Sequence, residues 1–111
     1  IDGFRCDMAH LVPLDFWADA RKTIEAHCGQ LFWLAETDDP NYLQVFDASY
    51  AWQFMHTSEK YMKGEDTMAS MAYLLEQYAT MPPKAMKLLF TSNHDENSWN
   101  GTEFEKYGKA A

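Results

Sequence analysis

Three short apolar runs each lead into a carboxylate, and the intervals between those carboxylates constrain the fold of this 111-residue chain more than any other feature. GFRC at 3 to 6 ends at Asp7, LFWLA at 31 to 35 ends at Glu36, and MKLLFTS at 86 to 92 passes through Asn93 and His94 to Asp95. Asp7 and Glu36 are 29 residues apart, and Glu36 and Asp95 are 59 apart. A (β/α)8 barrel of roughly 250 residues repeats about every 31, so these intervals read as one period and two, with VFDASY at 45 to 50 as the strand between. Helical stripes fill the gaps. Leu14, Trp17, Ala20, Ile24 and Cys28 precede a stop at Gly29, and Asp39 with Pro40 opens a short turn of helix. Trp52, Met55, Glu59 and Met62 predict a helix to about Lys63, broken by Gly64. Met68, Met71, Leu75 and Tyr78 predict another, capped by Asp66 or Thr67 and ended by Pro82 and Pro83. Continuous apolar strands alternating with helices predict a parallel α/β sheet. The expected fold is a partial (β/α)8 TIM barrel, approximately strands 4 to 7 with their helices. Residues 1–111 are then part of one barrel domain whose strands 1 to 3 and strand 8 lie outside the chain.

Charge narrows the partners. Lysine and arginine number 9 against 17 aspartates and glutamates, a formal net charge of −8. Such a surface repels polyanions, so no nucleic acid and no anionic membrane is expected to bind. No apolar run approaches the roughly 18 residues of a membrane span, and no secretory apolar region is present, so no membrane insertion is expected. Cys6 and Cys28 are too few for a disulfide framework and lack zinc-site spacing; both read as buried thiols. The seven methionines fall mainly on helix stripes as gap-filling core, and KYGK at 106 to 109 reads as a solvated helix end. The chain opens on Ile1 and enters a strand almost at once, so an upstream segment with any targeting signal is expected and localisation is not readable.

In a barrel the C-terminal ends of the strands form the rim where active sites are built, and all three acids stand at such ends. Alternation along a strand puts Gly3, Arg5 and Asp7 on one face and Phe4 and Cys6 on the other. The charged face is then the barrel interior. By the same parity Phe32, Leu34 and Glu36 point inward, while Trp33 and Ala35 face the helices. Three carboxylates converging at one rim suit cleavage of a glycosidic bond, which needs a nucleophile, a proton donor and support for an oxocarbenium-like centre. In the retaining geometry nucleophile and donor stand about 5 Å apart. Arg5 would keep Asp7 ionised through its opposite charge, and partial desolvation at the end of an apolar strand would suit Glu36 to general-acid duty. Singly, Asp7 and Glu36 read better as helix caps or strand-end charges, and Arg5 also as half of a structural ion pair. Their common register favours the site.

The residues themselves match a family. DGFRCD at 2 to 7, LAE at 34 to 36 and FTSNHD at 90 to 95 resemble the second, third and fourth sequence motifs of the α-amylase family, glycoside hydrolase family 13, in order, spacing and strand placement. DGFRCDMAHLVP, AETDDP and NHDENSWNGTEFE look most like bacterial α-amylases of the Bacteroidetes type. The resemblance implies retaining hydrolysis of α-1,4-glucosidic bonds in starch or maltodextrin, with an α-glucan oligosaccharide or polysaccharide as substrate. It implies Asp7 as the nucleophile, Glu36 as the acid that then serves as base, and Asp95 holding sugar hydroxyls at the cleavage subsite. His94 would bond the same sugar and Arg5 would position Asp7. Many members carry a Lys-His pair three and four residues after the nucleophile, where this chain has His10 and Leu11. His10 is then an acceptor-subsite contact or simply a loop histidine. The departure also bears on the calcium site that many members build partly from that segment; no calcium ligands are identifiable in this chain.

Trp99 and Phe104 follow the rim and read equally as sugar-stacking rings or as loop packing; Tyr50 and Trp52 carry the same two readings, with core packing favoured. Asn100-Gly101-Thr102 fits a glycosylation sequon but is first a turn signal. A transglycosylase of the same family is the nearest alternative function. A non-catalytic barrel relative acting as a binding partner would have lost the carboxylates retained here. A metal hydrolase would need His10, His94 and the acids to gather round one ion.

Overall fold

Gly3 sets how closely the first two strands approach. In the computed structural model, which describes residues 1–111, strand β1 (Gly3–Cys6) pairs in parallel with β2 (Phe32–Ala35), Gly3 opposite Phe32. A Cβ on Gly3 would lie 2.1 Å from the Phe32 carbonyl oxygen, so only glycine permits this contact. Strands β3 (Ala48–Tyr50) and β4 (Met86–Leu88) extend the sheet in the order β1-β2-β3-β4, every pair parallel. This is the sheet of a partial (β/α)8 barrel. Contacts divide the chain into two compact units: Ile1–Tyr50 with Pro82–Leu88, and Ala51–Met81 with Leu89–Ala111.

The first unit holds the whole sheet and helix α1 (Leu14–Cys28), which ends where Gly29 takes a left-handed φ of 82° and donates its N–H to Glu25. Between α1 and the sheet lies a core of Cys6, Ala9, Leu31, Trp33, Ala35, Tyr42 and Phe46, with Trp17 and Ile24 packed against it. The Phe46 ring meets Trp17 edge-on at 5.4 Å and Trp33 at 6.3 Å, contacts worth about 0.5–1.5 kcal/mol each beyond area burial. Arg21 ties α1 to the strand entrances: it donates to the Val45 carbonyl, lies 3.0 Å from Asp47 and 3.1 Å from Glu25. Asp47 in turn accepts the Trp33 N–H at 2.8 Å. These contacts shorten the third strand relative to the expected span of 45 to 50. Val45 and Phe46 both donate to the Tyr42 carbonyl and finish the 3-10 turn Pro40–Gln44, capped by Asp39 as expected, so extended backbone starts only at Ala48. The fourth strand, expected at 86 to 92, stops at Leu88 because its partner β3 ends at Tyr50. Cys28 is exposed rather than buried; it is the last helical residue, beyond the core, and its thiol donates to the Ile24 carbonyl.

The second unit is helical: α2 (Trp52–Met62), α3 (Met68–Ala79), α4 (Glu96–Trp99) and α5 (Glu103–Tyr107). Gly64 follows α2 with φ of 74°. Thr67 is the cap residue of α3, but Asp66 does the bonding, accepting from the Thr67 N–H and the Ser70 hydroxyl. The buried residue of α3 is Leu74 and Leu75 is exposed, so Leu74 takes the place expected for Leu75 between the half-buried Met71 and Tyr78. Met55 is fully buried, whereas Met8, Met62, Met68 and Met86 are exposed, against the expectation of methionines as core filling. The Lys106 side chain, expected in a solvated helix end, is only 4% exposed, its ammonium lying between carboxylates from two other helices. The turn at Asn100-Gly101 is real: Gly101 has φ of 84°, and Thr102 with Glu105 forms a capping box that starts α5.

Candidate active site

One arginine organises the end of β1. Arg5 Nη1 pairs with Asp7 Oδ1, and Nη2 pairs with Glu36 Oε1 at 2.7 Å. Strand register delivers this: Arg5 stands opposite Leu34, so Asp7 and Glu36 are each two residues further along neighbouring parallel strands, on the same face. The two carboxylates differ sharply in surroundings. The Asp7 side chain is 72% exposed, and that of Glu36 is 8%. Glu36 Oε2 accepts the Met8 N–H at 2.8 Å, so both its oxygens are held. Met8 is the one non-glycine residue with positive φ, at 44°, a conformation costing about 1–2 kcal/mol and kept here by that bond. Trp33 packs against Phe4, their ring centroids 5.0 Å apart.

Tyr50 completes the arrangement from β3. Arg5 Nε donates to the Tyr50 hydroxyl at 3.4 Å, and the guanidinium lies 5.7 Å from the ring centroid, a cation–π distance. The bond to Tyr50 outweighs partial burial and, with Asp7 and Glu36, raises the guanidinium pKa above its already high value. Arg5 is thus a permanent positive charge shared by two acids. Core packing, the favoured reading of Tyr50, holds for its buried ring, but the contact of its hydroxyl with Arg5 was not read from the sequence. The signal was there in the pairing: Arg5 faces Leu34, Leu34 faces Ala48, and Tyr50 is two residues beyond.

His94 and Asp95 lie in the second unit, at the start of α4. His94 Nε2 is 3.4 Å from Asp95 Oδ2, with both side chains open at 70% and 60% exposure. The Asn93 side-chain oxygen accepts from the N–H groups of Asp95 and Glu96, fixing the backbone there. Trp99 and Phe104 are exposed. His10 is exposed on the 3-10 turn Ala9–Leu11 of the first unit. Asn100, the acceptor of the sequon, has its amide bonded to Glu59 and Glu96. No group of three or more His, Cys, Asp or Glu side chains is disposed to hold a metal ion.

Comparison with protein-family profiles and with curated proteins finds no match. Solved structures do match. An alpha-amylase from Lactobacillus plantarum superposes with a TM-score of 0.77 at 34% identity, over 86% of this chain and 27% of that one. A noncanonic maltogenic alpha-amylase, AmyB, from Thermotoga neapolitana superposes with a TM-score of 0.75 at 38% identity, over 86% of this chain and 23% of that one. The chain thus spans about a quarter of the length of these two enzymes.

Proposed function

The chain belongs to the α-amylase family, and on that premise we propose that it supplies the reacting carboxylates of a retaining glycosidase acting on α-1,4-linked glucans. The observation that carries this reading is the single guanidinium shared by Asp7 and Glu36. A retaining glycosidase needs its two acids close together and in different roles, and here one is solvent-facing and one enclosed.

In the first step the Asp7 carboxylate attacks the anomeric carbon as Glu36 gives a proton to the departing glycosidic oxygen. A covalent glycosyl ester on Asp7 results. In the second step Glu36 takes a proton from water, the water oxygen displaces Asp7, and the sugar leaves with its configuration kept. Arg5 positions Asp7 throughout. Asp95 and His94 hold hydroxyls of the sugar being cleaved. His10 and Trp99 serve as outer sugar contacts.

Glu36→Gln in the full-length protein tests the assignment. It keeps the shape and removes the proton, so starch hydrolysis should fall by about 10²- to 10⁴-fold. Near-normal turnover would overturn the role of Glu36. Chromatography of the wild-type products from maltotriose reads the second step: glucose and maltose mark water as acceptor, and longer oligosaccharides mark a transglycosylase.

A further inference from the structure

Five polar side chains in the second unit form a cluster that the proposed reaction does not use. Glu96 and Lys106 are 3% and 4% exposed at their side chains, and their carboxylate and ammonium are 3.3 Å apart. Asn100 donates its amide to Glu96 at 2.6 Å and to Glu59 at 3.2 Å. Glu59, buried on α2, pairs with Lys63 at 2.6 Å and stands 4.0 Å from Lys106. Burial alone would raise the Glu59 pKa, but these partners overcome it and lower it.

Stability alone does not call for such an arrangement. Buried ion pairs are often replaced without loss by apolar side chains of similar volume, because desolvation offsets the attraction between the charges. Hydrogen bonds differ from apolar packing in having direction, and here they converge on the residue that follows Asp95. The Glu96 N–H is held by Asn93, its carbonyl accepts from Asn100 at 2.8 Å, and its carboxylate is fixed by Lys106 and Asn100. Asp95 donates its own N–H to Asn93 and accepts from Ser98 through its carbonyl. The backbone is pinned on both sides while the His94 and Asp95 side chains stay open. We propose that Glu96, gripped by Lys106 and Asn100, which Glu59 holds in turn, is a positioning residue that sets the backbone of His94 and Asp95 for sugar binding.

This inference rests on the sugar-holding role given to Asp95 above, and its test separates the two. In the full-length protein, Glu96→Leu with Lys106→Met replaces the pair by apolar side chains and leaves no lone charge from it. The melting temperature should hold within a few degrees, while kcat on an α-1,4-glucan falls between about tenfold and 10²-fold, as displacement of a substrate-holding group does. In an Asp95→Asn background, assayed on an aryl maltoside with a good leaving group, the same replacement should cost less than about twofold, since both changes act through one residue. An unchanged kcat in the Asp95-containing enzyme would overturn the inference, as would an equal loss in both backgrounds. If the double replacement does not fold, Glu96→Gln is read by the same criteria. Normal activity of Asp95→Asn alone would instead overturn the role of Asp95 itself.

Discussion

Arg5 touches Asp7, Glu36 and Tyr50 through different nitrogens, so changes at Tyr50 should be felt at both acids without touching either. Tyr50→Phe removes the hydroxyl and keeps the buried ring under the guanidinium. Arg5 Nε then loses its acceptor, and a hydrogen bond this long to a charged group is worth about 1 kcal/mol, at the weak end for its kind. In the full-length protein we expect kcat/KM on maltodextrin to fall by about fivefold with little change in melting temperature. Kinetics equal to wild type would mean that the carboxylates alone hold Arg5 in place. Alternation along β1 and β2 made the facing of Arg5, Asp7 and Glu36 readable from the chain itself, since side-chain direction follows parity wherever a strand is regular. The Met8 N–H at Glu36 was not readable. It depends on a left-handed turn that methionine rarely adopts, and no local residue type announces it.

Among the elements, helices were more legible than strands. Glycines at 29 and 64 and the Asp39-Pro40 pair act on their own neighbours, and the helices begin and end where they dictate. Strand ends are set by partners far along the chain. Extended backbone in β3 waits until the Tyr42 carbonyl and Arg21 have used the groups of Val45, and β4 stops where β3 does. Lys106 was misjudged for the same reason, its partners Glu59 and Glu96 lying on other helices. The β1–β2 pair offers a test at this scale. Gly3→Ala places a methyl 2.1 Å from a backbone oxygen that cannot move aside like a side chain, so the strands must separate at their start. Overpacking of this kind costs about 1–3 kcal/mol, and the urea midpoint of the full-length variant should fall accordingly. An unshifted midpoint would show that β1 is free to slide on β2.

At the scale of the whole molecule, two tendencies oppose each other. The sheet is open at both edges, since β1 and β4 each have one neighbour, and both strands present unpaired backbone groups on the other side. Phe32, Met86 and Leu88 add exposed apolar surface to the same sheet. Against association stands a net charge of −8, which repels like molecules at long range. Edge pairing and apolar contact act at a few ångströms and are indifferent to screening, whereas the repulsion fades beyond a Debye length of about 30 Å at 0.01 M salt and about 10 Å at 0.1 M. Salt should therefore decide the outcome. The 111-residue chain produced alone should be most dispersed at low ionic strength and should self-associate as salt or protein concentration rises, with no activity on starch. Light scattering across a salt series reads this directly. A monodisperse species that melts cooperatively at 0.3 M salt would show that the edges are closed by the chain itself, and that this four-stranded segment is a folding unit in its own right.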